Sequence, residues 1–170
     1  PEFARFAFAD PLKDAFAAYH SIPRCWCDGV DEEGRPLDRE DVVVFTEPVT
    51  DLTRPVPGMM RDVSIRQGLQ RFGMAMREQL GEDFWVDRMS ERLLCSDAPL
   101  VVLTDVRFDN ETDICDKIVL ISNPNCPPID KHDSELLATH FLENPEMADH
   151  VIVNDGTLEE LAAQVDRMKE

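Results

Sequence analysis

Apolar residues recur at helical spacing in the middle of the chain, over residues 62–80. Steps of three or four residues separate them, as on one face of an amphipathic helix. The members of this stripe are Ile65, Leu69, Phe72, Met76 and Leu80. Gly81 follows the stripe, at a position where helices often end in a left-handed residue. The pattern predicts a helix that begins near Asp62 and buries this stripe.

Three more helices are indicated by end signals as well as by spacing. Asp10-Pro11 combines a favoured N-cap with proline at the first helical position and predicts a helix that stops before Pro23. A second helix is predicted from Asp83 to about Cys95. A third begins at the capping box formed by Thr157 and Glu160. The apolar residues expected to face inward on the last two are Trp85, Met89 and Leu93, and Leu158, Leu161, Val165 and Met168.

Short apolar runs alternate with these helices and predict strands. Residues 100–104, 118–121 and 151–153 are continuously apolar, which is typical of strands buried on both faces. A loosely alternating stretch at residues 5–9 predicts one more strand. Shorter helices are expected around residues 111–117 and 134–142. Strand–helix alternation favours an α/β fold, a three-layer parallel sheet flanked by helices.

Residues 20–60 interrupt this pattern. The segment is rich in proline and contains an acidic turn at residues 28–34. It predicts a long excursion with one embedded strand at residues 42–46. We therefore expect a single domain over residues 4–170, with residues 20–60 as a divergent insertion and residues 122–135 as a lid-like loop.

Composition narrows the choice of partners. The chain has 170 residues, 43% of them hydrophobic, and a formal net charge of −18. This charge argues against a broad grip on nucleic acid or an anionic membrane, and no apolar run has the ~20 residues of a membrane span. Five cysteines without a secretory signal favour free thiols in a reducing cytoplasm. Cys25, Cys27 and His20 leave a zinc site as the alternative.

Polar side chains follow three of the predicted strands, where ligands bind in open parallel sheets. Asp10 follows the first strand, Asp105 and Arg107 follow the strand at residues 100–104, and Asn154 and Asp155 follow the strand at residues 151–153. An aspartate at this position suits a hydrated Mg²⁺, and an arginine two residues later can form a forked contact with phosphate oxygens. The alternative is an internal ion pair of Arg107 with Asp105 or Glu111.

Two further segments carry candidate chemistry. Arg66, Gln70 and Arg77 share one face of the predicted helix and could contact a phosphate and a base, or form a solvated polar face. The loop before residue 136 could act as a mobile lid with His132 as an acid or base. Alternatively, His132 is a surface histidine, and Ser134 is a helix N-cap.

One motif is missing from the printed sequence. There is no G-x-x-x-x-G-K-[S/T] loop, and the chain has only seven glycines. Such a loop is how P-loop kinases cradle a triphosphate with backbone N–H groups. The chain also lacks a serine nucleophile elbow and an H-E-x-x-H motif.

Taken together, several blocks of the sequence resemble the deoxynucleoside monophosphate (dNMP) kinases of tailed bacteriophages, a branch of the P-loop nucleoside monophosphate (NMP) kinase-like fold. The blocks occur in the family's order and cover most of the chain outside residues 20–60. They are Phe6–Lys13, the helix with Arg66, Gln70, Gly73 and Arg77, Asp83–Val86, Asp105–Glu111, the lid-like Asp130–Glu135, and Asp149–Leu161.

The resemblance implies phosphoryl transfer from ATP to a dNMP with Mg²⁺. It places Asp10, Arg66, Gln70, Arg77 and Arg107 around the acceptor nucleotide and assigns the metal to Asp105. The lid residues that it implies are His132, Ser134 and Glu135.

The chain departs from the family in three places, and each departure removes charge or polarity. Nothing before Arg5 supplies the family's first strand and P-loop. Met74-Ala75 replaces a polar pair, and Ser122–Asn125 lacks a lid arginine. The missing strand would be central, so the strands at 100–104 and 118–121 would need residues 42–46, each other or a second chain as a partner.

These departures predict a protein that is inactive as given and acts by binding. Its acidic surface would inhibit a host or defence protein with a basic surface in the infected cell. The alternative is an active dNMP kinase whose P-loop lies upstream. A third option is a protein that binds dNMPs without catalysis.

Overall fold

The computed structural model describes residues 3–51, 54–125 and 136–168. The chain forms two compact units, Pro1–Thr104 and Asp105–Glu170. The predictions of a single domain, an insertion at residues 20–60 and a lid at 122–135 remain predictions. Residues 126–135, which hold His132, Ser134 and Glu135, lie outside the described residues.

Helix packing forms the core of the first unit. Strand β1 (Ala4–Phe6) pairs in parallel with β4 (Val101–Leu103), and helix α1 (Ala9–His20) follows β1. Helix α1 packs against α2 (Ile65–Leu80) and α3 (Phe84–Leu94). The apolar stripes of these helices supply most of the buried cluster. Its members are Phe16, Ala17, Cys27, Ile65 and Leu69.

The start of α1 differs from the prediction. The N-cap residue is Phe8, which has no side-chain cap, and Asp10 lies inside the first turn. Oδ2 of Asp10 accepts a hydrogen bond from the backbone N–H of Ala7 at 3.1 Å. Asp10 therefore satisfies an N–H group just before the helix instead of occupying the N-cap position. The predicted end before Pro23 is confirmed.

A long antiparallel hairpin occupies the region predicted as an excursion with one strand. After a 3₁₀ turn (Arg24–Asp28), β2 (Val43–Asp51) pairs with β3 (Arg54–Ser64), with irregularities in register at two places. The predicted strand at residues 42–46 pairs with β3, which the sequence did not predict. Prolines argue against central strands, but in a two-stranded hairpin each strand has one open edge where the missing N–H costs nothing.

Helix α2 begins three residues later than predicted. Strand β3 continues to Ser64, whose Oγ caps α2 by accepting from the N–H of Gln67 at 3.3 Å. The early part of the predicted stripe is buried, but Leu80 at the end is 58% exposed. The helix ends at Leu80, as predicted, but Gly81 has φ of 110° and ψ of 153°, which is not the left-handed helical conformation expected there.

In its described residues, the second unit has a parallel strand pair and three α-helices. Its elements are α4 (Asp109–Thr112), β5 (Val119–Ser122), α5 (Leu136–Glu143), a 3₁₀ turn (Pro145–Met147), β6 (His150–Val153) and α6 (Leu158–Arg167). Strands β5 and β6 pair in parallel. Helix α4 is a single turn, shorter than the helix predicted over residues 111–117. The capping box of Thr157 and Glu160 is confirmed at the start of α6.

Burial in the strands and in α6 is lower than the sequence predicted. Each continuously apolar run has side chains at least 36% exposed, so these strands are not buried on both faces. The exposed members are Leu100, Val102, Val119, Ile121, Val151 and Val153. Helix α6 buries no described residue, and Leu158 is 84% exposed. An apolar run favours a β-strand, but its side chains are buried only where another layer covers them. Each of these pairs has two described strands, so much of its surface stays open.

The architecture confirms the predicted fold class, a mixed α/β protein with parallel strands and flanking helices. Among the described residues, β4 pairs with β1, and β5 pairs with β6. The predicted gap left by a missing central strand remains a prediction, but residues 42–46 belong to the hairpin. In the part of the chain that the structure describes, every helix is too short or too polar to cross a membrane.

Candidate functional site

Helix α2 presents the three polar residues predicted to share one face. Arg66 and Gln70 are exposed, one turn apart, and Arg77 is half-buried farther along the helix. An adjacent side of α2, about 100° round the helix, carries Ile65 and Leu69, which pack into the core of the first unit. The predicted spacing therefore places guanidinium and amide groups on the open side of a helix that packing holds in place.

A carboxylate from the preceding segment contacts the first of these residues. Oε1 of Glu40 lies 3.4 Å from Nε of Arg66. Oε2 of the same carboxylate accepts a hydrogen bond from Oγ of Ser64 at 3.1 Å. The backbone supports this arrangement, since the N–H of Arg66 donates to the carbonyl of Arg39 at 3.3 Å. Glu40 is thus held beside Arg66 by the residue that caps α2.

Asp10 belongs to a network of charged groups around Arg24. The Arg24 guanidinium contacts Oδ1 of Asp10 at 3.2 Å, Oδ1 of Asp14 at 2.6 Å and Oδ2 of Asp28 at 2.5 Å. Two more cations complete the network. Lys13 contacts Asp28 at 2.9 Å, and Arg92 contacts Asp14. Three carboxylates are therefore matched by three cations, which tie α1 to the 3₁₀ turn and to α3.

The network changes the acidity of its carboxyl groups. Desolvation raises the pKa of Asp14, but hydrogen bonds from Arg92 and Arg24 outweigh it, so the pKa lies below its ordinary value. Desolvation also raises the pKa of Asp28, and the contacts with Lys13 and Arg24 again lower the net pKa. Both aspartates are therefore held as carboxylates, because the neighbouring cations stabilise the charged form.

A cleft of about 850 Å³ opens elsewhere in the first unit, beside α1 and α3. Its walls combine apolar groups, two arginines and two acids: Phe6, Pro11, Asp14, Ala15, Arg88, Glu91, Arg92, Cys95 and Ser96. Of the predicted site residues that the structure describes, none lines this cleft. Its arginines are matched by carboxylates, since Arg88 pairs with Glu91 at 2.8 Å and Arg92 pairs with Asp14. The predicted phosphate- and base-binding residues Arg66 and Gln70 therefore lie on the exposed face of α2 and not in the cleft.

In the second unit, Asp105 and Arg107 lie on the segment that leads into α4. Asp105 is half-buried and Arg107 is exposed. The carboxylate of Glu111, only 3% exposed, accepts hydrogen bonds from the backbone N–H groups of Arg107 at 2.7 Å and Phe108 at 3.3 Å. Glu111 therefore fixes the backbone that carries Arg107.

The cysteines show no clustering that would favour a metal. Cys25, Cys27, Cys95 and Cys115 are free thiols, and burial raises the pKa of Cys27. Across residues 3–51, 54–125 and 136–168, no three histidine, cysteine, aspartate or glutamate side chains converge as a metal site. The zinc alternative therefore finds no support among the described residues.

Three residues that shape these regions escaped prediction: Glu40, Arg24 and Glu111 in its backbone-binding role. Glu40 acts through partners that the path of the chain brings near, and local spacing does not reveal such partners. Glu111 and Arg24 have weak local signals. Glu111 occupies the third position of a helix, where a glutamate often reaches back to preceding N–H groups, and Asp28 follows Arg24 by four residues. The contacts of Arg24 with Asp10 and Asp14 have no such signal.

Comparison with known proteins supports the predicted resemblance. The search of curated proteins gave no match. A family described as deoxynucleotide monophosphate kinase matches residues 32–165. The match includes Arg66, Gln70, Arg77, Asp105 and Arg107, and it begins after Asp10. Because the matched residues make up well over half of the chain, the protein belongs to the deoxynucleotide monophosphate kinase family.

Proposed function

We propose that this protein binds a deoxynucleoside monophosphate and provides the acceptor side of phosphoryl transfer from ATP. The family match over residues 32–165 carries this proposal. Phosphoryl transfer depends mainly on positioning and on neutralising phosphate charge, so arginines near the acceptor are its central requirement. The matched residues include three of the arginines named as candidates, Arg66, Arg77 and Arg107.

On α2, Arg66 would bind the acceptor phosphate, because a guanidinium presents paired N–H donors that fit phosphate oxygens. Gln70, one turn along the same face, would recognise the base, since its amide both donates and accepts hydrogen bonds. Arg77 would support the same nucleotide from farther along the helix. Burial of Ile65 and Leu69 on an adjacent side of α2 supports this assignment, because it fixes how the helix is turned and leaves Arg66 and Gln70 exposed.

In the second unit, Arg107 would add a guanidinium, and Asp105 would hold Mg²⁺. Mg²⁺ usually keeps several waters and takes one or two carboxylates together with substrate phosphates. A single half-buried aspartate fits that chemistry. Bound Mg²⁺ would neutralise phosphate charge during transfer. The sequence offers no glycine-rich phosphate loop, so we assign no residue of this chain to ATP.

Isothermal titration calorimetry with each of the four dNMPs, with and without Mg²⁺, tests the proposal. We expect binding of at least one dNMP, weakened about tenfold or more by Arg66→Gln and by Arg107→Ala, because each loses a charge-assisted phosphate contact. Arg35→Gln is the matched control, since Arg35 pairs with Asp31 and Glu33 in an exposed turn. Unchanged affinity in both site variants would reject the assignment.

A binding protein without kinase activity is the second candidate. The observation that favours it is the net charge of −18, which suits a basic partner such as a host or defence protein. The same titrations separate the two candidates, because an inhibitor of this kind needs no dNMP affinity. A coupled kinase assay with ATP and a dNMP then tests phosphoryl transfer. It is run on this chain and on the protein translated from the start codon of the gene.

A further inference from the structure

Glu40 forms an ion pair with Arg66, whose guanidinium is assigned to the acceptor phosphate in the proposed function. Its Oε1 lies 3.4 Å from Nε of Arg66, and both side chains are about half exposed, at 49% and 56%. A phosphate oxygen approaching this edge of Arg66 would meet a carboxylate already in place. Glu40 contacts the guanidinium as an ion pair at Nε, and a phosphate bound at that edge of Arg66 would compete with it.

Hydrogen bonds to the start of α2 hold Glu40 beside Arg66. Ser64 donates to Oε2 of Glu40 at 3.1 Å while its Oγ accepts from the N–H of Gln67 at 3.3 Å. Two backbone hydrogen bonds join the segment to α2 through residues that flank Glu40: the Ile65 N–H donates to the Val42 carbonyl, and the Arg66 N–H donates to the Arg39 carbonyl. The start of α2 and Glu40 therefore form one hydrogen-bonded assembly.

We propose that Glu40 is a built-in competitor for the acceptor phosphate, displaced from Arg66 when a dNMP binds. This inference rests on the proposed function, because it requires Arg66 to bind phosphate. Because the Glu40–Arg66 ion pair must be broken before an anion binds Arg66, it lowers the affinity for simple anions. A nucleotide can offset this cost through the contacts of its base and sugar. Glu40 thus tunes the acceptor site without belonging to the groups that hold the nucleotide.

Calorimetric titration of the full chain with the best-binding dNMP and with its deoxynucleoside tests the inference. Glu40→Gln removes the charge and keeps an oxygen for Ser64. Its affinity for the dNMP is expected to rise about 1.4- to 5-fold, the equivalent of an exposed ion pair, with no change for the deoxynucleoside. Glu40→Asp keeps the charge but withdraws the carboxylate, and it is expected to raise dNMP affinity as well.

Two controls isolate the contact. Glu33→Gln removes the same charge from a nearby exposed turn, where Glu33 pairs with Arg35. It is expected to leave dNMP affinity unchanged. In the background of Arg66→Gln, the effect of Glu40→Gln is expected to vanish, because the competitor then has nothing to occupy.

The outcomes separate the inference from the proposed function. If Arg66→Gln weakens dNMP binding but neither Glu40 variant strengthens it, the competitor role is wrong and the proposed function survives. An equal gain from Glu33→Gln would also overturn it, since that gain reflects overall charge. If Arg66→Gln changes nothing, Arg66 does not bind the acceptor, and both proposals fail at this residue.

Discussion

Gly68 in α2 lies so close to Phe16 in α1 that a Cβ at Gly68 would stand 2.6 Å from Cζ of the ring. Phe16 is fully buried and cannot move aside without disturbing the core. Alanine is normally better than glycine inside a helix by about 1 kcal/mol. Here we expect Gly68→Ala to lower the free energy of unfolding by about 1–3 kcal/mol, as overpacking does. Urea denaturation measures the change.

Gly73→Ala on the same helix is the matched control. Its Cβ would lie 3.2 Å from Cδ1 of Leu12, the end of a flexible side chain. The clash is relieved by a small shift of Leu12, so we expect a change within about 1 kcal/mol of zero. Equal losses in the two variants would mean that the contact with Phe16 is not the cause.

Arg24 is expected to contribute to stability through the three aspartates that it contacts. Arg24→Gln leaves Asp10, Asp14 and Asp28 without this cation and should lower the free energy of unfolding at pH 7 by roughly 1–2 kcal/mol, between exposed and buried ion pairs. Arg35→Gln removes an arginine from an exposed pair and should cost less. Urea denaturation of both variants tests the difference.

The loss in Arg24→Gln depends on pH in a defined direction. The folded-state pKa values of Asp14 and Asp28 are lowered, so the stability that they provide is present above the ordinary aspartate pKa of about 3.9. That stability is lost as pH falls through the lower folded values. The gap between wild type and Arg24→Gln should therefore be constant near neutrality and shrink below about pH 4. A gap that grows on acidification would contradict this account.

Local signals explain which parts of the fold could be predicted. The capping box of Thr157 and Glu160, the stripe that begins at Ile65 and the end of α2 at Gly81 each involve residues a few positions apart. Their geometry is set by the helix itself. For the same reason, the spacing of Arg66 and Gln70 correctly placed both on one open face.

What could not be predicted depends on distant parts of the chain. Strand β3 was hidden by its prolines, and its existence depends on pairing with β2. The contact of Glu40 with Arg66 follows from that hairpin, which brings the preceding segment to the start of α2. The apolar run at β5 specified a strand, but the exposure of Ile121, 62%, depends on what covers the sheet. Sequence periodicity does not carry this information.

His20 is expected to make stability depend on pH near neutrality. Its ring stacks on Phe45 with centroids 5.0 Å apart and also contacts Phe16 at 4.4 Å. Desolvation lowers the pKa of His20 below 6.5, because burial disfavours the charged form. The stability that it provides is therefore present above the ordinary pKa of the unfolded state and is lost as pH falls from about 6.5 through the folded value.

His20→Phe keeps an aromatic ring and removes the titration. Between pH 7.5 and 5.5, the wild type should lose more stability than this variant in urea denaturation. His140→Gln, at an exposed position of α5, is the control and should behave like the wild type. Identical slopes for wild type and His20→Phe would show that the ring does not couple protonation to folding.

Glu111 is expected to link the stability of the second unit to the position of Arg107. Glu111→Ala removes the carboxylate that accepts hydrogen bonds from the backbone N–H groups of Arg107 and Phe108, and we expect it to lower the free energy of unfolding by about 1–3 kcal/mol. Glu111→Gln keeps one acceptor oxygen and should cost less. Glu146→Ala, at an exposed position of the 3₁₀ turn, is the neutral control.

Hydrogen exchange distinguishes a local role for Glu111 from general destabilisation. The amides of Arg107 and Phe108 should lose more protection in Glu111→Ala than the amides of the β5–β6 pair, measured at pH 7 without denaturant. If Arg107 binds the acceptor as proposed, dNMP affinity should fall in the same variant because the guanidinium is no longer held at one position. If the amide of Arg107 loses no more protection than the other amides of the unit, Glu111 contributes to folding alone.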